Sequence, residues 1–279
     1  YEESAVLNID VENNIVNTAA HRVQADHIIL ATHTPKGVSV VQTELRPYRE
    51  YAVAALQNTP QLPGGIFWST GPDATSTRAV TLDGKTYVMI IGEQHKTGQK
   101  TDPEAAYRVL SELLRARFAV QSIDYQWSGQ HYRAADGLPY IGSSAGSSRV
   151  YIATGFATDG LIYGTVAGKI IADEICGSGN PFAELYSPRR FTPVKSAVNF
   201  LKENLNVASH YIKDYTTSAA LKSFSKVKRG EGALVDIEGA KLAVYRDDAD
   251  HLHILSSVCT HLKCIVHWNR AERSWDCPC

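Results

Sequence analysis

The sequence predicts two folds in series: a mixed α/β segment over residues 1–205 and a small all-β module over residues 230–279, joined by a connector at 206–229. Three observations predict it. Short apolar, β-branched runs ending at loops, "DHIILATH" (26–33), "KTYVMIIG" (85–92) and "SRVYIATG" (148–155), have the pattern of strands buried on both faces. Two segments of helical period accompany them. From Gly232 onward the period changes to two, the mark of antiparallel strands with one covered face.

The first helix is expected from Asp102, which caps it, with Pro103 in the first turn and Glu104 at the positive end of the dipole. Ala106, Val109, Leu110, Leu113 and Phe118 form its core face. The second runs from about Asp159 to Cys176 and closes with Gly177 as a left-handed cap. Gly160, Gly164 and Gly168 recur every fourth residue along it, so a sheet or a ligand must approach that stripe closely. Cys176, at the end of an apolar helix, is expected to be a packed core thiol.

After the irregular "NPFAELYSPRRFTP" (180–193), an amphipathic segment is expected over 196–213, then a connector whose lysines form a solvated face. In the terminal module "ALVDIEGAKLAVYRD" reads as a hairpin turning at Glu238 and Gly239, and "HLHILSSVC" follows an acidic turn at 247–250.

Composition narrows the function classes. In 279 residues, 28 basic side chains face 29 acidic ones, so nothing favours nucleic acid or an anionic membrane surface. A hydrophobic content of 44% suffices for buried cores, and no apolar run is long enough for a spanning helix. The start lacks an initiator methionine and any leader pattern, and the one methionine is Met89; Tyr1 is therefore expected to be internal to a longer polypeptide.

Four of the five cysteines fall within "VCTHLKCIVHWNRAERSWDCPC" (258–279). Cys259 and His261 form a CxH pair, fifteen residues separate His261 from Cys277, and Cys264 and Cys279 accompany them. Thiolates and an imidazole at such spacing leave iron, zinc and a simple disulfide as alternatives. "CTHLKC" with "WDCPC" closely resembles the two cluster-binding loops of Rieske proteins. That resemblance implies a [2Fe-2S] cluster, with Cys259 and Cys277 on one iron and His261 on the other. It also implies a disulfide between Cys264 and Cys279, and a second histidine ligand directly after Cys279, where the sequence stops. His267 has no place in the motif and is expected to be structural.

Residues 5–200 are similar to the C-terminal half of FAD-dependent oxidoreductases of the D-amino-acid oxidase and glycine oxidase type. "ADHIILATHTP" (25–35), "DGLPYIG" (136–142) and "VYIATGFATDGLIYGTVAG" (150–168) carry the resemblance. It implies that Gly155, Phe156, Gly160 and Leu161 approach the flavin at a helix N-terminus, where backbone N–H groups favour negative charge. It also implies that Thr32, Asp136 and Gly137 lie in loops near the cofactor. The GxGxxG turn that would hold the FAD pyrophosphate is absent from this sequence.

In "YQWSGQHYRAADG" (125–137), Gln130, His131 and Arg133 are candidates for recognising a carboxylate or polar substrate, against a solvated strand edge as the plain reading. His95 and Lys96 in "GEQHKTGQ" either reach an active site or serve structure. No catalytic base is identifiable. The two resemblances together imply an oxidoreductase passing electrons between an amine or amino-acid-like substrate, FAD and the cluster, with an electron-carrier protein as partner. With no export signal in the sequence, a cytoplasmic location is expected. The piece as given would be inactive, lacking half of one cofactor site and one ligand of the other. A non-catalytic scaffold with a zinc- or disulfide-stapled terminal module is the alternative.

Overall fold

The computed structural model describes residues 2–35, 40–57, 62–71, 74–100, 102–190, 220–259 and 264–277. The chain opens with an antiparallel meander, β1 (Val6–Asp10), β2 (Ile15–Thr18) and β3 (Arg22–Gln24), followed by β4 (Ile28–Leu30). Next come β5 (Leu45–Leu56), β6 (Ile66–Trp68), β7 (Ser76–Leu82) and β8 (Lys85–Lys96), then α1 (Glu104–Arg117) and β9 (Tyr125–Ala134). The strands β10 (Tyr140–Ser143) and β11 (Val150–Thr154) lead into α2 (Gly160–Ile175) and the short α3 (Ala183–Tyr186). The terminal module holds β12 (Gly232–Ile237), β13 (Ala240–Arg246), β14 (Leu252–Ser256), β15 (His267–Asn269) and β16 (Ser274–Asp276). Among the described residues no helix is long and apolar enough to cross a membrane.

Two compact units result, Tyr1–Arg46 with His131–Leu205, and Pro47–Gln130 with Asn206–Cys279. In the first, β11 lies between β10, antiparallel, and β4, parallel, with Val150 opposite Ile28 and Ile152 opposite Leu30. All five residues of β11 are buried, as a continuous apolar run predicts. Its partner β4 departs from expectation. Ile28 and Leu30 are buried, whereas Ile29 between them is 51% exposed, so this strand is covered on one face only.

In the second unit the sheet order is β6-β7-β8-β5-β9. Strand β8 runs four residues past the predicted end at Gly92, because it keeps pairing with β5 beyond an irregularity at Arg49/Tyr51 and reaches Tyr48 opposite Lys96. Val53 faces Ile90 and Ala55 faces Val88, and α1 covers that face with Ala106, Tyr107, Leu110 and Leu114. The Asp102 Oδ1 accepts the Ala105 N–H at 3.2 Å, the capping contact expected of it. Val109, predicted to be core, is exposed. It lies about one hundred degrees round the helix from the Ala106–Leu110–Leu114 stripe.

The second helix matches its predicted limits, with Gly177 beyond it at φ +69°. Cys176 corrects an expectation: it is exposed, since Ala167, Ile170 and Ile171 form the buried face and the helix-ending residue turns away from them.

In the module, Glu238 and Gly239 both have positive φ, +53° and +86°, the geometry of a tight hairpin turn. The acidic turn at 247–250 is present, Asp247 accepting the His251 N–H at 2.8 Å. Val227, Val235 and Val244 make a small core, and Leu221 pairs with Val235. Residues 220–229, predicted as connector, thus belong to the module, while 206–219 and the amphipathic segment 196–213 lie outside the described residues. Trp268 stacks on Tyr245 with ring centroids 5.1 Å apart, and a Cβ on Gly232 would fall 2.4 Å from the Trp268 indole.

That contact generates an expectation for stability. Gly232→Ala should cost ~1–3 kcal/mol through overpacking against a ring that cannot simply swing aside. A melting temperature equal to that of the unsubstituted chain would show that the two small sheets do not meet there.

Candidate cofactor sites

The first site is built where β11 ends. Burial of every residue of β11 means that the chain has to leave the sheet abruptly after Thr154, and Gly155 makes that turn at φ +78°. Space is tight as well: a Cβ there would lie 3.2 Å from Leu45 Cδ2 and 3.5 Å from the Ala134 Cβ. Phe156 then pairs with Arg133 across an antiparallel bridge, and the Ala157 N–H donates to the Tyr132 carbonyl at 2.9 Å. Thr154 Oγ1 donates to the His33 carbonyl at 2.6 Å. These bonds bring together the ends of β4, β9 and β11, and with them Thr32, His131, Arg133, Gly155 and Phe156.

Among the described residues Asp159, at the N-cap position of α2, makes no capping hydrogen bond with its side chain, and the first turn carries no acidic side chain. Leu161 is 91% exposed. The first-turn N–H groups of this helix therefore keep their affinity for a negative group supplied from outside. Behind them, no heavy atom of the described residues lies within 4 Å of where a Cβ on Gly164 or Gly168 would sit, so the glycine stripe does not pack on its own sheet. Instead both glycines line an apolar recess of about 330 Å3 with Ile29, Ala31, Phe156 and Ile171. An apolar recess beside uncapped backbone donors suits a flat, partly anionic ring system, so the residues present fit FAD.

The remaining candidates fall in several environments. Thr32 is exposed and its hydroxyl donates to the Thr34 carbonyl at 2.6 Å. The Asp136 carboxylate is buried and held in two bonds by Arg190, Nε to Oδ2 at 2.8 Å and Nη2 to Oδ1 at 3.0 Å. Burial raises its pKa, but the Arg190 hydrogen bonds and charge, with the Leu138 N–H, bring it below the usual carboxylate range. Its carboxylate is thus occupied in bracing the loop in which Gly137 turns at φ +86°. Arg190 itself stacks 3.9 Å above the Tyr140 ring.

Along β9, His131 is buried and Arg133 exposed, while Gln130 is half-buried. Burial first, then the nearby Arg133 and His33, lower the pKa of His131 to about 4, so it is neutral at pH 7. Both ring nitrogens of His95 have partners: its Nδ1 lies 2.8 Å from the Lys96 carbonyl and its Nε2 3.1 Å from the Tyr51 hydroxyl. A carbonyl only accepts, so Nδ1 carries the proton and Nε2 accepts from Tyr51.

The second site lies in the module. Cys259 follows β14, and its N–H donates to the Cys264 carbonyl at 2.8 Å, while Val258 bridges Ile265. These contacts hold Cys259 and Cys264 together; His261 lies outside the described residues. Cys264 is buried at that base, and Cys277 follows directly on β16. No disulfide is present among the described residues, and the expected pairing involves Cys279, outside them. The donor chemistry of Cys259 and Cys277 fits the iron-ligating cysteines of a [2Fe-2S] cluster, while among the described residues no group of three or more candidate ligands is gathered. His267 lies in β15, outside both loops, as expected.

No local pattern in the sequence marks Arg190, Arg49 or Tyr107 beyond the paired arginines in "SPRR", and a long-range partner cannot be read from such a stretch.

Fold and sites together define a flavin-type oxidoreductase segment followed by an iron–sulfur module. FAD dependent oxidoreductase (DAO) sequences match residues 1–174 and the Rieske [2Fe-2S] domain matches residues 218–279. The chain belongs to the FAD dependent oxidoreductase family and carries a Rieske domain at its C-terminal end. It is 30% identical, over its whole length, to 55% of YhfW from Bacillus subtilis (strain 168), named as a Rieske 2Fe-2S iron-sulfur protein. It is 25% identical over 194 residues to glycine oxidase of Bacillus licheniformis, covering 64% of this chain and 49% of that one. The solved glycine oxidase of Geobacillus kaustophilus shares the fold at a TM-score of 0.56 and 17% identity, over 69% of this chain and 53% of that one. The chain spans about half the length of these curated relatives.

The shifted His131 makes stability depend on pH. Its folded pKa lies below the ordinary 6.5, so between about 6.5 and about 4 the unfolded chain binds a proton that the folded chain refuses. Stability should fall as pH drops through that window and be unaffected by this group above it. His131→Gln should flatten that part of a denaturant-midpoint profile against pH; an unchanged slope would assign it to other groups.

Proposed function

We propose that the chain serves an oxidoreductase in which a small amine or amino-acid-like substrate exchanges electrons with FAD and a Rieske [2Fe-2S] cluster, and through the cluster with an electron-carrier protein. The observation that carries this reading is the joining, in one chain, of an uncapped helix N-terminus beside Gly155 to a CxH and cysteine loop pair. FAD, when bound, takes two electrons from an organic substrate and releases them one at a time, which suits a one-electron cluster.

In this reading the N–H groups of Gly160 and Leu161 favour negative charge on the flavin, Gly155 lets the backbone approach, and Phe156 with the glycine stripe supplies the apolar wall. Cys259, His261 and Cys277 hold the cluster. A Cys264–Cys279 disulfide belongs to the same proposal, supported by the burial of Cys264 at the loop base. The amine class of substrate is supported by the likeness to glycine oxidase.

Among the three substrate candidates, neutral His131 cannot supply positive charge, whereas exposed Arg133 sits opposite Phe156 and offers a fixed fork of donors to a carboxylate. Its role is recognition. A cytoplasmic location completes the reading.

The test uses the full-length protein. FAD should be released on denaturation, and iron should approach two per chain; Cys277→Ser should remove the iron and leave the flavin. Full iron content in that variant, or zinc in place of iron, would refute the cluster assignment. Arg133→Met should raise KM for a carboxylate-bearing amine at least tenfold with a smaller change in kcat, the signature of lost ground-state binding. An equal KM for the acid and its decarboxylated analogue in the unsubstituted enzyme would remove Arg133 from substrate recognition.

A further inference from the structure

The hairpin that ends at Cys277 is gripped from outside the module. Arg49, on β5, donates through Nη2 to Asp276 Oδ1 at 2.8 Å and through Nη1 to Ser128 Oγ of the neighbouring β9 at 2.7 Å. The two partners of the ion pair are 227 residues apart, and their side chains are 9% and 7% exposed. Asp276 spends its other oxygen on Asn269 Nδ2 at 2.8 Å, so both carboxylate oxygens are bonded. At the opposite end of the hairpin, Tyr107 of α1 donates to Glu272 Oε1 at 2.5 Å, and Ala271 packs on the core that α1 forms with the sheet.

We propose that the iron–sulfur module is permanently docked on the face formed by α1, β5 and β9, with Arg49–Asp276 as the anchor of the interface, rather than tethered as a mobile head. A buried guanidinium–carboxylate pair is costly to open, because separating its members leaves two desolvated charges unpaired. Undocking would also expose Ala271 and the apolar face it covers. The anchor lies one residue from Cys277 and the second grip lies in the turn of the same hairpin. Docking therefore fixes the cysteine loop relative to the sheet. This rests on the cluster reading only for its consequence, since the docking contacts are made by the protein alone.

A specific protease site introduced between Asn206 and Ala219 of the full-length protein provides the test. After cleavage, the two pieces should co-elute in size-exclusion chromatography. Arg49→Met should weaken their association at least tenfold, and Tyr107→Phe and Arg49→Lys should weaken it less. Separation of the unsubstituted pieces, or equal affinity in Arg49→Met, would overturn the proposal. If Arg49→Met fails to fold by circular dichroism, Tyr107→Phe and Arg49→Lys decide: unchanged affinity in both overturns it, and weakened affinity supports it. Iron content measured on the same fractions keeps the two readings apart, because co-eluting pieces without iron would refute the cluster and leave the docking intact.

Discussion

The flavin-side site depends on one constraint, the complete burial of β11. A strand packed on both faces and hydrogen-bonded on both edges cannot drift into a loop; it must end in a turn tight enough to free its backbone at once. Gly155 satisfies that demand twice, through its positive φ and through the absence of a Cβ that would press on Leu45 and Ala134. Everything downstream follows from the direction the chain takes there: the bridge of Phe156 to Arg133, the start of α2, and the recess beneath its glycines.

Both units use the same device to hold a loop or hairpin end, a guanidinium set against a buried carboxylate. Arg190 braces the Asp136–Gly137 turn, and Arg49 braces the residue before Cys277. Such pairs add little net stability compared with an apolar core, but breaking one partner is expensive, so they fix geometry. Burial lowers the proton affinity of two histidines, half-buried His95, which lies between Tyr51 and a carbonyl, and buried His131. The module is assembled by a third means, the stacking of Trp268 on Tyr245 over the bare backbone of Gly232.

The sequence by itself determined the elements and the chemistry that local pattern controls. The buried strands, the limits of α2, the turn at Glu238–Gly239 and the CxH motif are each set by neighbours a few residues away, and a period or a spacing reports them. Only the tertiary structure decided which faces are covered and which charges meet. It left Ile29, Val109 and Cys176 exposed, although their apolar character fits a core, because burial depends on what packs against a helix or strand. It turned Asp136 toward Arg190 and Asp276 toward Arg49, pairings over 54 and 227 residues. No spacing encodes such contacts, because a charged side chain finds its partner only after the backbone between them has folded.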